Sequence, residues 1–284
     1  MKKIIRIFLL SVVIFCVCTP AAFADFGSKP RVEINLKNAP REEYYLDLLY
    51  QPSRTTSIYD NLDKGFEYNG DMLRTLRSYE KDGWYAALAS GTLAPVFGSL
   101  TGEKGRHVFS YIGVPDEFKI IIVTAGGDVK ISRPVKRRTM EVSLDVDFTD
   151  MSVNKKSARI MYFVQFAGSL AATLVIEFAV LLLFRYGIKE NSKVFLLTNI
   201  FTQLIFSALF STVFLFGGTF GTLLAFIPLE IGVAAVEIFI YKRKLKGRSP
   251  KINIMYALCA NLASAALTYW NLEFILTLMT KLIR

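Results

Sequence analysis

Residues 160–184 read IMYFVQFAGSLAATLVIEFAVLLLF, and Glu177 is their single charge. At about 1.5 Å per residue, a helix of that length exceeds the ~30 Å hydrocarbon core of a bilayer. Three stretches downstream have the same character. Residues 194–216 and 252–270 carry no charge, and 220–241 carry only Glu230 and Glu237; a less clean apolar run continues through Glu273 to Leu282. The economical reading is an all-α four-helix transmembrane bundle over residues 158–284.

Charge supports this division. The chain has 34 Lys+Arg, 24 Asp+Glu and a net charge of +10, with a mean hydropathy of +0.37. Residues 25–157 carry 19 basic and 19 acidic groups, so the excess falls on residues 1–24 and on the apolar C-terminal half. A nucleic-acid protein would place such an excess on a soluble face, and no nucleic-acid partner is expected. Basic residues beside apolar spans are instead a topology signal. Arg185, Lys189 and Lys193 fall in the loop 185–193, and Lys242, Arg243, Lys244, Lys246, Arg248 and Lys251 in the loop 242–251. Gly217-Gly218-Thr219, between spans two and three, carries none. Both basic loops are therefore expected in the cytoplasm, with residues 25–157 outside.

The N-terminus gives the same orientation independently. Lys2, Lys3 and Arg6 precede an apolar run and an Ala22-Phe23-Ala24 cleavage pattern, which reads as a signal peptide over residues 1–24. Cys16 and Cys18 raise a lipoprotein signal as the competing reading, but Phe15 and Val17 stand where a small residue belongs. After cleavage Cys259 alone remains, so the exported part has no disulfide framework.

Residues 25–157 read as an extracytoplasmic all-β domain. RVEINLK at 31–37 alternates polar and apolar residues, the period of a half-buried strand. Similar runs cover 44–50, 84–89, 107–112, 118–124, 129–132 and 140–148, and Ala125-Gly126-Gly127-Asp128 is a hairpin signal between two of them. Residues 70–82 look helical, with Met72, Leu73, Leu76 and Tyr79 at helical spacing. Seven strands with one helical insertion suggest a sandwich of immunoglobulin-like or transthyretin-like type; a barrel stays open.

Polar groups inside the spans carry the functional question, because charges in hydrocarbon normally face a bundle interior or a wet cavity. Measured from the basic loops at about 1.5 Å per residue, Glu177 lies roughly 12 Å deep, Glu237 roughly 7 Å and Glu230 roughly 18 Å. Asn199, Gln203 and Asn261 lie roughly 9, 15 and 15 Å deep on the same scale. All four spans thus bring a carboxylate or amide to the cytoplasmic half. Gln165, Ser169, Thr173 and Glu177 step by four, as do Asn199, Gln203, Ser207 and Ser211, and Ala260, Ser264 and Thr268 with Asn261 beside them. Steps of four hold one helix face, and small residues there let helices approach. Glu177, Asn199, Gln203, Glu230, Glu237 and Asn261 form the candidate intramembrane site. Their oxygens suit a cation or proton; the alternatives are hydrogen bonds that merely fix helix register, or contact with a partner subunit. The residues name no metal.

Other motifs say less. His107 is the only histidine, so zinc sites built on histidine and cysteine are excluded by count and no Ser-His-Asp set is recognisable. Gly98 to Gly105 lacks the G-K-[ST] ending of a phosphate loop. Asp145, Asp147 and Asp150 read as the wet face of a strand in preference to an extracellular cation site, and Arg133, Lys136, Arg137 and Arg138 as a solvated hairpin end in preference to a contact with anionic lipid headgroups or wall polymers. Neither enzymatic activity nor a cofactor is expected.

The opening Asp25-Phe26-Gly27-Ser28-Lys29-Pro30 is followed by Tyr44-Tyr45-Leu46-Asp47-Leu48-Leu49, Asp82-Gly83-Trp84-Tyr85 and Phe118-Lys119-Ile120, then by Thr198-Asn199, Glu230, Glu237 and Asn261-Leu262-Ala263-Ser264. On these pieces the chain resembles a group of uncharacterised Gram-positive (Firmicutes-type) membrane proteins. Those have a signal peptide, a secreted β domain opening D-x-G-x-K-P and a multi-span C-terminal part. Residue 28, often proline in such openings, is serine here. The resemblance implies a multi-pass plasma-membrane protein and supplies no mechanism. The expectation is an outer sensing or binding domain coupled to a polar-cored bundle in the lipid bilayer. The alternative is a non-catalytic assembly subunit that docks another membrane or wall protein; a homo-oligomer fits either.

Overall fold

The computed structural model describes residues 29–51, 62, 66–88 and 96–283. The expected signal peptide, with Cys16 and Cys18, lies outside the described residues. The chain divides into two compact units, one containing Lys29–Ala158 and the other Arg159–Thr280.

The first unit holds ten strands and one short helix among the described residues: β1 (Arg31–Lys37), β2 (Tyr44–Tyr50), α1 (Gly70–Ser78), β3 (Glu80–Lys81), β4 (Trp84–Ala86), β5 (Arg106–Ser110), β6 (Glu117–Thr124), β7 (Val129–Ile131), β8 (Val135–Lys136), β9 (Glu141–Asp147) and β10 (Val153–Lys155). One sheet has the order β10-β9-β1-β5, the other β3-β4-β2-β6-β7, with β8 also paired to β6. The first sheet is mixed, since β1 runs parallel to β9 and antiparallel to β5. Alternation along β1 sends Val32, Ile34 and Leu36 inward, where they meet Leu144 and Val146 of β9 and Leu46, Leu48, Ile120 and Ile122 of the second sheet in one core.

The opposite face of the second sheet is buried as well. Tyr45, Leu49, Ile121 and Val123 pack there with Met72, Leu73 and Leu76 of α1 and with Trp84. Cover on both faces explains why Ile120-Ile121-Ile122-Val123 is a continuous apolar run instead of an alternating one. Asn69 caps α1 by accepting from the backbone N–H groups of Asp71 and Met72. The helix ends at Ser78, four residues short of the expected 82, because Glu80 and Lys81 pair with Tyr85 and Trp84.

The second unit is helical: α2 (Arg159–Leu183), α3 (Ile188–Lys244), α4 (Pro250–Trp270) and α5 (Leu272–Ile283). By length and composition α2, α3 and α4 are each apolar enough to cross a membrane. α3 breaks at Gly218, whose φ of 62° and ψ of −164° belong to a region open almost only to glycine. Its two limbs fold back on each other: Asn199 donates to Tyr241 at 2.9 Å and Thr202 to Glu237 at 2.6 Å, and just past the helix end the Lys246 carbonyl accepts from Asn191 at 3.3 Å. The expected stretches 194–216 and 220–241 are those limbs. Arg185, at φ 56°, closes α2 in the left-handed conformation. α4 starts on Ser249, whose hydroxyl accepts from the Ile252 N–H, with Pro250 in the first turn.

Candidate functional site

Eight buried polar side chains of the helical unit converge on one layer. From α2 comes Glu177, from the first limb of α3 Asn199 and Thr202, from the second limb Glu237 and Tyr241, and from α4 Tyr256, Asn261 and Ser264. Glu177 is 1% exposed and Glu237 is fully buried. Glu237 is clamped at both oxygens: the Thr202 hydroxyl lies 2.6 Å from Oε1, and Asn261 Nδ2 donates to Oε2 at 2.8 Å. Thr202 Oγ1 also lies 3.0 Å from the Thr198 carbonyl.

Glu177 lies near Asn199 and Ser264 and within electrostatic range of Glu237 and Glu230. Its Oε2 has no hydrogen-bond partner among the described residues, and neither does Asn199 Oδ1. Every described Lys and Arg from Arg159 to Lys281 is exposed, so no buried cation neutralises the pair. Two buried carboxyl groups without a counter-cation are tolerable chiefly when protons or a bound cation supply the missing positive charge.

An apolar cluster adjoins this layer and shares Tyr241 and Tyr256 with it; Leu181, Tyr186, Phe195, Leu245 and Ala257 also belong to it. Asn253 is buried inside it, accepting from the Tyr186 hydroxyl at 2.6 Å and donating to the Tyr241 and Leu245 carbonyls at 3.1 Å each. Here the two basic loops meet: Arg248 donates to the Arg185 carbonyl at 3.2 Å, and the Lys246 N–H to Asn191 Oδ1 at 2.8 Å.

The structure brings together five of the six residues singled out from sequence. Glu177, Asn199, Glu237 and Asn261 share the carboxyl layer, and Gln203 sits one turn away, donating to Thr173 at 2.9 Å. Glu230 stands apart, half-buried, and its side chain makes no hydrogen bond among the described residues; its tie to the layer is electrostatic, through Glu237. Sequence reasoning missed Thr202, Tyr241, Tyr256 and Asn253. The signal was present in part: Thr202 and Asn253 are polar within apolar runs, but tyrosines near a basic loop read equally well as interfacial anchors. No cluster of three or more His, Cys, Asp or Glu capable of holding a metal ion occurs among the described residues.

Buried polar groups of the β unit have structural tasks. Asp47 accepts from the N–H of Leu48 at 2.8 Å and of Leu88 at 2.7 Å, tying β2 to the end of β4. Glu33 takes a two-pronged contact from Arg106 at 2.9 and 2.8 Å. Burial raises its carboxyl pKa, but Arg106 and Arg31 outweigh that and hold it below the usual value. His107 packs beside Tyr44, with 3.2 Å between the hydroxyl and Nε2. Burial pushes its pKa down to about 4 against an opposing hydrogen bond with the Ser99 backbone, so it is neutral at pH 7. Asp147 and Asp150 accept from the N–H groups of Thr149 and Ser152, and Asp145 pairs with Lys37 at 2.9 Å.

No protein-family model, curated protein or solved structure matches the chain.

Proposed function

We propose that this is a multi-pass plasma-membrane protein whose helical unit, a four-span bundle hinged at Gly218, binds and exchanges a proton at the Glu177/Glu237 pair. The observation that carries the reading is the convergence of two buried carboxyls from different helices with no buried cation near them among the described residues. A proton suits the geometry better than a metal ion, because both oxygens of Glu237 are already engaged by Thr202 and Asn261. The β unit, read as an extracytoplasmic sandwich that senses or binds a ligand, would couple to that layer. Basic residues gathered at one end of the bundle support a cytoplasmic position for the loops 185–193 and 242–251. The resemblance to Gram-positive membrane proteins agrees with this orientation.

The test is thermal stability of the detergent-purified full chain against pH and against Na⁺, K⁺, Mg²⁺ and Ca²⁺, with Glu177→Gln and Glu237→Gln alongside. A ligand at 100 times its Kd adds about 2.7 kcal/mol, a visible shift. The proposal expects a pH-dependent transition that either Gln variant flattens, and no response to the metals. A metal-dependent shift lost in both variants would replace the proton with a cation.

One observation favours a second reading, a non-catalytic assembly subunit. Glu230 is half-exposed on the second limb, and Ala167, Gly168, Ala171 and Ala172 leave a small-residue surface on α2, of the kind that admits another helix closely. A stoichiometric companion retained from native membranes by the wild type and lost with Glu230→Leu would support it.

A further inference from the structure

The seam between α2 and the first limb of α3 holds more polar atoms than helix packing needs. Ser169 and Ser207 face each other with hydroxyls 3.2 Å apart. One turn along, Gln203 donates to Thr173 at 2.9 Å. A further turn sets Asn199 beside Glu177. Each step of four along α2 is matched by a step of four back along the limb, so the same register sets Gln165 opposite Ser211 at the far end. The seam is thus a ladder of four polar rungs ending on the carboxyl layer. Its members Gln165, Glu177, Asn199, Gln203 and Ser211 are all more than nine-tenths buried, and each has a side-chain oxygen without a hydrogen-bond partner.

We propose that this ladder carries the proton: a single file of water seated between the rungs links the Glu177/Glu237 pair to the end of the bundle away from the basic loops. The inference rests on reading that pair as proton-exchanging. Successive rungs lie about 6 Å apart, four residues at 1.5 Å each. Two hydrogen bonds of about 2.8 Å through one water span that distance, and water is what ordinarily satisfies buried polar atoms left over by packing. Serine and threonine hydroxyls both accept and donate, so they pass a proton along such a file. The direct contacts at the middle rungs are too close for an ion: a hard cation with ligands at about 2.3–2.6 Å holds opposed oxygens about 5 Å apart. Beyond Glu177 the file stops at the plug of Leu181, Phe195, Tyr241 and Tyr256, which makes access one-sided. The titratable groups near the pair are Tyr241 on the second limb and Tyr256 on α4, with Glu230 farther along the second limb and tied to it only electrostatically.

The experiment is time-resolved infrared spectroscopy of the full chain in detergent after a pH jump, following the carboxyl C=O band that Glu237→Gln removes. Ser207→Ala is expected to slow the band at least tenfold while leaving its starting and final amplitudes unchanged. Tyr186→Phe, in the plug, is expected to leave the rate alone. Should Ser207→Ala lower the unfolding temperature, Ser169→Ala on the same rung is the variant read. Wild-type rates in a folded rung variant, or equal slowing by Tyr186→Phe, would overturn the ladder while leaving the proton-exchanging pair intact. A band that ignores pH, or that follows Na⁺ at constant pH, would overturn the pair itself.

Discussion

Acidification of the β unit gives the prediction whose size the structure fixes best. His107 has a folded pKa of about 4, against about 6.5 in an unfolded chain. Between those values the unfolded state binds a proton that the folded state refuses. Stability is therefore fully present above pH 6.5 and is lost as pH falls toward 4. At about 1.4 kcal/mol per pH unit, a difference of roughly 2.5 units amounts to about 3 kcal/mol, a large share of a domain's stability. Glu33 acts in the same direction in a lower window: its depressed pKa contributes stability present above the ordinary carboxylate value and lost as pH falls through the folded one. The assay is urea unfolding of the full chain in detergent at pH 7, 6, 5 and 4.5. It follows Trp84, which is buried against α1, with Trp270→Phe to silence the only other indole. His107→Gln removes the titration while keeping a partner for Tyr44. Wild type should lose about 1.4 kcal/mol per unit below pH 6.5, and the Gln variant should show a much flatter line down to pH 5. Parallel lines for the two proteins over that range would refute the reasoning.

Other substitutions test the same physics elsewhere. A Cβ on Gly102 would stand 2.5 Å from His107 Nε2 and 2.7 Å from the Arg106 carbonyl, so Gly102→Ala should destabilise the β unit by about 1–3 kcal/mol, read by the Trp84 transition. Gly218→Ala should cost about 1–3 kcal/mol through its backbone angles and lower the melting temperature of the helical unit, followed by circular dichroism. Asn261→Leu removes the donor to Glu237 Oε2; an interhelical bond of this kind is worth about 0.6–2 kcal/mol, which the same melting curve resolves.

Local pattern carried much of this architecture. The period of two in residues 31–37 marks β1, and the Ala125–Asp128 turn signal lies between β6 and β7, where the Gly127 N–H donates to the Thr124 carbonyl. The steps of four that single out Gln165, Thr173, Glu177, Asn199, Gln203 and Ser207 mark faces that the helical unit buries. The parallel pairing of Arg31 with Glu141 joins residues more than a hundred positions apart, and no local periodicity encodes that register. The short strands β3, β8 and β10 are too brief for a period to show. Burial of His107, Asp47 and Glu33 depends on neighbours supplied by the tertiary fold, as does the clamp of Thr202 and Asn261 on Glu237. Glu230 shows the limit of helical spacing: one heptad from Glu237 places it near the same stripe, yet it lies outside the clamped layer.

The central claim is that Glu177 and Glu237 form a pair that gains and loses a proton within the bundle. Equilibrium infrared titration of the carboxyl C=O band, in wild type, Glu177→Gln and Glu237→Gln, tests it most directly. The account predicts a protonated-carboxyl band that changes with pH, is lost in Glu237→Gln and is displaced along the pH axis in Glu177→Gln. A band unchanged from acid to alkaline pH, or one present alike in all three proteins, would contradict it.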